Sequence, residues 1–489
     1  MNKILLLLSI PFLAQAQVQT GQSIDGESQW SFNGQAIAIS ANGSIMATGA
    51  NGHNSDVGQV RVFENIAGTW TQIGNDILGY NSNDNLGWAI DISADGSVVV
   101  AGAPYNSDTA LYAGQVRVFE NIAGTWTQIG QNLLGDAASD LFGISVAISP
   151  DGSTIAVGAP SNDTANNNAG QVKIFKNISG TWTQVGSTLL GVTNNDNFGK
   201  SLALSNDGSI VAIGADQLGM ITNGYVKVYE NIAGTWTQIG TDIIGEASQD
   251  RSGISVDITP DGSTVAIGAI NNDGINNNAG HVRVYENIAG TWTQKGGDID
   301  GEADLDASGQ NLALSSNGEV VSIGALYNGG NGNNAGHVRL FTYSANTWTQ
   351  VGNDIDGENA GDRSGYTAIS ADGRTVVVGS SYYSSASFDQ AGRVRVFDFT
   401  SAFNTLSIED FDSETSVFIR YNSNNEIQFK TNKSLFQNIK IYDITGKLLL
   451  SKENINRPEF IIKSDFSNQL IIVKSSLNNN EVFTTKLIR

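Results

Sequence analysis

The sequence predicts an all-β chain, a seven-bladed β-propeller followed by a small β-sandwich. Three observations predict it. One four-strand unit recurs seven times at steps of 54 to 56 residues, the start of the chain supplies a strand that the seventh unit lacks, and the repeat stops near residue 400. Composition agrees: 56 glycines in 489 residues suit many tight turns, and 40% apolar residues can fill a core. It also excludes whole classes of chemistry. With no cysteine there is no disulfide scaffold, thiolate zinc site, iron–sulfur cluster or cysteine nucleophile. Three histidines argue against a multi-histidine metal centre. A formal charge of −22 argues against nucleic acid, whose phosphates need a basic face.

The N-terminal stretch MNKILLLLSIPFLAQAQ has a basic start at Lys3, an apolar run from Ile4 to Leu13 and a small-x-small Ala14-Gln15-Ala16. It reads as a signal peptide, residues 1–16, cleaved after Ala16. No later run approaches the ~18 apolar residues of a membrane-spanning helix, so no transmembrane segment is expected.

The repeat unit occupies residues 17–400. A Gly-x-Val-basic string begins at Gly58, Gly114, Gly170, Gly224, Gly280, Gly336 and Gly392, and a Ser-x-Asp-Gly-like string precedes each by about 20 residues. In the third copy the expected strands cover residues 144–149, 154–159, 171–176 and 181–186, with period-two apolar alternation at Val146 and Ile148. Asp151-Gly152 is expected to form a two-residue hairpin turn. A Trp-Thr-Gln fourth strand appears only six times, from Trp70 to Trp348. The missing seventh is foreshadowed by Gly-x-x-Ile-Asp-Gly-Glu at residues 21–27, which repeats residues 352–358. Ile24 is therefore expected to take the place in the last blade that Ile355 takes one blade earlier, closing a ring and removing two open sheet edges. The string FGISVAISPDGSTIAVGAP, residues 142–160, resembles the FG-GAP repeat of integrin α-subunit propellers through Phe142-Gly143 and Gly158-Ala159-Pro160. Ser149-Pro150-Asp151-Gly152 is also similar to WD-repeat and TolB-type blades. The resemblance implies a binding platform.

From residue 401 the charge changes. Residues 18–400 hold 14 basic and 38 acidic side chains, and residues 401–489 hold 11 and 10. Residues 401–416 read as a linker, and residues 417–489 as a sandwich of short strands. Lys440-Ile441-Tyr442-Asp443-Ile444-Thr445-Gly446-Lys447-Leu448 and the ending Lys486-Leu487-Ile488-Arg489 closely resemble the type IX secretion C-terminal sorting domain of Bacteroidota. One departure is Asn468-Gln469-Leu470-Ile471, where that family often has Gly-hydrophobic-Tyr. The resemblance implies the type IX machinery as a partner and a secreted or cell-surface address.

Sites are expected on the face where the fourth-to-first and second-to-third strand loops open, since those loops are long and rich in Asn and Asp. One carboxylate recurs there, at Asp84, Asp140, Asp196, Asp250, Asp306 and Asp362, with Ser31 in the first blade. Two readings stand: a ring that holds calcium, or an Asx-type turn closing each loop. Residues that break the repeat point elsewhere. Trp88, Lys200 and Tyr366 follow the first-strand glycine, where they either bind a sugar ring or pack a blade interface. Asp91 and Asp257 replace alanines, as channel ligands or as solvated groups. The loop of residues 216–223 is two residues short and carries Leu218 and Met220. His281 and His337 stand where other blades have glutamine and are expected to be exposed. No nucleophile elbow, His-Glu-x-x-His or phosphate loop appears. The expected function is non-enzymatic binding or adhesion to an extracellular glycan or surface protein. The alternative is a polysaccharide-active glycosidase or lyase using Asp91, Asp257, Lys200 and Tyr366.

Overall fold

The computed structural model describes residues 17–219, 222–274, 276–406, 417–421, 426–431, 434–443, 447–463, 471–478 and 482–487. The expected signal peptide lies outside them, as do residues 407–416 of the expected linker, Met220, residues 444–446 and 468–470 of the tail motifs, and the last two residues. The chain divides into two compact units, the second being Leu406–Arg489.

The first unit is seven antiparallel sheets, one per repeat. In the third blade the strands are Ser145–Ile148, Thr154–Ala159, Gln171–Ile178 and Thr181–Gln184. The fourth strand is split: Thr181–Gln184 pairs with the outer half of the third strand, and Leu189–Leu190 pairs with its inner end. The split has a local cause. Gly186 sits at φ +70, and a Cβ there would lie 2.7 Å from the indole Cδ1 of Trp236 in the next blade. Each kink glycine thus receives the next blade's tryptophan, whose Nε1 donates to the preceding blade's backbone, as Trp182 does to Ile129 O at 3.0 Å. At the seventh junction Phe399 stands in for tryptophan, against Gly352.

The hairpin turns are longer than expected. Strands end at Ile148 and resume at Thr154, because Asp151 Oδ1 accepts from Ser149 Oγ and Ser153 N and ties a five-residue loop.

The ring closes through the N-terminal strand. Val18 pairs with Asp398, and Ile24 pairs with Val394 as Ile355 pairs with Val338. Ile24 is buried with Val377, Val394 and Val396 of the last blade and Trp70 of the first. Asp25 takes a bidentate ion pair from Arg393 at 2.7 and 2.9 Å. Neighbouring blades are also locked by close approach: the second-strand glycine of each blade faces a carbonyl of the next, as Gly102 faces Gly143 O.

The start of the expected linker is instead the helix Thr400–Leu406. Ala402 is buried, and Phe403 packs with Phe397 and Phe399 of the last blade. Ala402 and Phe403, three to four residues beyond Phe399, fold back onto the last blade within one helical turn.

The second unit is a sandwich of two antiparallel sheets. One holds Val417–Tyr421, Ile427–Thr431 and Glu459–Ile462, and the other Leu448–Lys452, Phe436–Asp443, Ile471–Leu477 and Val482–Leu487. Ile427, Phe429 and Ile462 of the first meet Ile439, Ile441 and Val473 of the second in one core.

Candidate functional site

The first strands of all seven blades line an axial channel of about 460 Å³, with Ala41, Ala94, Pro150, Asn206, Pro260, Ser316 and Ala371 at its tight-turn end. Backbone hydrogen bonds run around that end from blade to blade, among them Ala41 N to Ala94 O, Ala94 N to Pro150 O and Ala371 N to Ala41 O. Asp91 and Asp257 line this channel, and their carboxylates join the lacing. Asp91 Oδ2 accepts from Ile148 N of the next blade at 2.8 Å, and Asp257 Oδ2 from Leu314 N at 2.7 Å. Asn311 repeats the device on Thr367 N. Burial pushes Asp91 up to about 7 and Asp257 up to about 6, against the amide hydrogen bonds that favour their ionised forms.

The other three repeat-breaking residues do not line this channel. Trp88 packs edge-on against Tyr105, with ring centroids 5.4 Å apart. Burial pushes Tyr366 up to about 12. The Lys200 ammonium has no hydrogen-bond or ion-pair partner among the described residues, although its backbone N–H donates to Asn197 O at 3.0 Å, and burial lowers its pKa while Asp216 opposes the shift. Asp216, itself a blade-breaking residue, is buried and takes Arg251 through Nε at 3.1 Å, with Asn197 on its other oxygen. So Asp91 and Asp257 share one cavity, while Lys200 and Tyr366 stand apart from it.

The six recurring aspartates close their loops. Asp140 Oδ2 accepts from Ala137 N at 3.0 Å and from Asn162 Nδ2 at 2.9 Å. Asp84, Asp196, Asp250, Asp306 and Asp362 each accept from the amide three residues back in the same way. All six are buried. Most are flanked by non-glycine residues in the left-handed region, such as Ser139 at φ 66 and Leu141 at φ 56. The carboxylate holds a backbone turn that costs of order 1 kcal/mol per strained residue.

On the loop face the structure gathers aromatics that the sequence reading passed over. In the second blade Tyr105 packs edge-on against Tyr112 at 5.6 Å, beside Trp88. Tyr80, Leu111 and Tyr112 are exposed at 58%, 61% and 41%, and Arg117 lies 4.0 Å from the Tyr80 ring centroid. Blade three has Asp136, Asn167 and Asn168 at the equivalent positions. Across the last and first blades, Phe32 packs on Tyr382 at 5.3 Å, under Arg363. A signal was available: these loops align column by column, and Tyr80 and Tyr112 stand where blade three has Asp136 and Asn168.

A second cavity of about 500 Å³ is lined by Thr193, Gln217, Tyr225, Lys227 and Asp242 among others. Tyr225 OH donates to Asp196 at 3.2 Å.

His281 and His337 correct an expectation. Both are buried, at 1% exposure, at the start of their third strands. Burial, with Arg283 and Arg339 beside them, pushes each down to about 4.

Residues 126–175 match the FG-GAP repeat family, and residues 406–489 match a domain of unknown function (DUF8694). The second match coincides with the sandwich unit. No curated protein matches the chain. Among solved structures, a Bacteroides uniformis protein provisionally assigned as a 6-phosphogluconolactonase is 13% identical, with 66% of this chain and 85% of that one covered at a TM-score of 0.47. Sqt1 from Chaetomium thermophilum is 18% identical, with 78% and 85% covered, also at 0.47. The first unit is a β-propeller, and one segment of it matches the FG-GAP repeat. Among the described residues no helix is long and apolar enough to cross a membrane.

Proposed function

We propose that the protein is a non-enzymatic binding propeller that works outside the cell and engages a glycan or surface protein through its loop face. The observation that carries this reading is the aromatic row Trp88, Tyr105 and Tyr112 on the loops of the second blade, with Tyr112 and its neighbour Leu111 exposed. Aromatic side chains offer large apolar contact with little entropy to lose, and solitary rings at a surface do not form such a cluster. A binding role also accounts for the channel acids, whose oxygens hold neighbouring strands together rather than facing a free substrate. The sandwich serves as the export address through type IX secretion, on the strength of its Lys440–Leu448 motif. Calcium remains a proposed ligand of the loop carboxylates.

The full chain screened against glycans and extracellular matrix proteins should bind, and Leu111→Ser with Tyr112→Ser should abolish binding without changing the fold. Retained binding in that variant would reject the loop face of blade two. Polysaccharide turnover, with no binding that survives product removal, would favour the enzyme alternative. Fusing residues 401–489 to a periplasmic passenger should carry it to the surface or medium of a type IX-competent host, and a fusion that stays periplasmic would reject the address.

A further inference from the structure

We propose that Glu246, His281 and Asp298, and again Glu302, His337 and Asp354, form two copies of one divalent-metal site for a first-row transition ion of the zinc class. In each trio the imidazole and carboxylate ligand atoms all lie within 4.8 Å of one another. His281 Nδ1 is 3.9 Å from both Glu246 Oε2 and Asp298 Oδ2, and His337 Nδ1 is 3.9 Å from Glu302 and 3.7 Å from Asp354. Those separations are too long for hydrogen bonds. A tetrahedral ion with N and O ligands at ~2.0–2.2 Å sets them roughly 3.3–3.6 Å apart, within a small side-chain adjustment.

The second observation is independent of the acids. Each histidine is buried at 1% exposure, and neither ring nitrogen of either one has a hydrogen-bond partner among the described residues. Buried polar groups are rarely left so. At this same place in the other five blades a side-chain donor meets a carboxylate: Gln59, Gln115, Gln171, Tyr225 and Arg393 all donate to one. Blade one is the closest comparison. There Gln59 Nε2 donates to Glu27 and to Asp76, both at 3.0 Å, from positions equivalent to those of the two trios. A glutamine amide has two hydrogens for two carboxylates, whereas a neutral imidazole has one N–H and one lone pair. An ion joins the lone pair to both carboxylates.

The surroundings fit a metal centre. Arg283 Nη1 lies 3.3 Å from the other oxygen of Glu246, and Arg339 Nη1 3.3 Å from that of Glu302, which orients each ligand from outside. The carboxylates are partly exposed, so an ion can enter and keep a water as its fourth ligand. One imidazole with two carboxylates suits zinc, while calcium takes six to eight oxygens. The proposal does not depend on what the loop face binds.

The test uses the full chain without a histidine tag, titrated with zinc chloride against a chromophoric chelator. Two zinc ions per chain are expected, one in His281→Gln or His337→Gln, and none in the double variant. Millimolar calcium should displace neither ion. Glutamine is the residue blade one carries, so these variants should fold, and an unchanged melting temperature in chelator checks it. Glu246→Gln with Glu302→Gln gives a second pair that leaves the histidines in place and should lose zinc equally. Failure of the parent chain to take up zinc, or unchanged stoichiometry in the double histidine variant, overturns the proposal.

Discussion

Asp91 and Asp257 are held in tension between two forces. Amide hydrogen bonds from their own strand and the next favour the charged form, while burial disfavours it more. Their folded pKa values, about 7 and about 6, lie above that of a free aspartate. Between roughly pH 4 and 7 the fold therefore binds protons that the unfolded chain releases, and stability from these groups falls as pH rises. Asn311 shows that a neutral amide can make the cross-blade bond. Asp91→Asn with Asp257→Asn should raise the melting temperature relative to the parent at pH 8 more than at pH 5. A difference between the two proteins that does not change with pH would disprove the buried-charge account. These acids were visible in the sequence as departures from alanine, but their partners, 57 residues away, were not. The histidine trios were hidden for the same reason. His281 meets a carboxylate 35 residues before it and another 17 after it, on separate loops that only the blade stacking brings together.

The repeating element was the most legible part. A period of 56 residues with two-residue alternation fixes strand order, and the structure departs from it only where side chains intrude. The fourth strand is split because the neighbouring tryptophan needs a glycine kink, and a tryptophan's packing partner cannot be read from its own strand. The Thr400–Leu406 helix was missed because seven residues carry too little periodicity. Blade contacts make a sharp prediction at the second-strand glycines. A Cβ on Gly102 would lie 2.0 Å from Gly143 O, and both groups are backbone. Gly102→Ala should cost about 1–3 kcal/mol or more, read by chemical denaturation. A cost under about 0.5 kcal/mol would show that the blades can slide apart locally.

At the scale of the whole molecule, the orphan strand was the decisive clue. Six tryptophan strands for seven units, with a matching fragment at the front, are compatible with a ring and with little else. Deleting residues 18–26 removes the burial of Ile24, worth about 1.5–3 kcal/mol, together with the Asp25–Arg393 pair and a strand pairing. The melting temperature should drop well beyond the effect of an ordinary terminal trim, and an unchanged value would refute closure by this strand. This clasp also opposes the order of synthesis. Asp25 and Arg393, 368 residues apart, cannot meet until almost the whole ring has been made. A ribosome or a membrane pore therefore delivers the keystone first and its socket last. Until the socket emerges, the chain carries two raw strand edges, the state most exposed to wrong pairing and most in need of a holding chaperone. Any process that stops the chain before residue 393 leaves an open arc, so the finished ring doubles as proof that the propeller arrived entire.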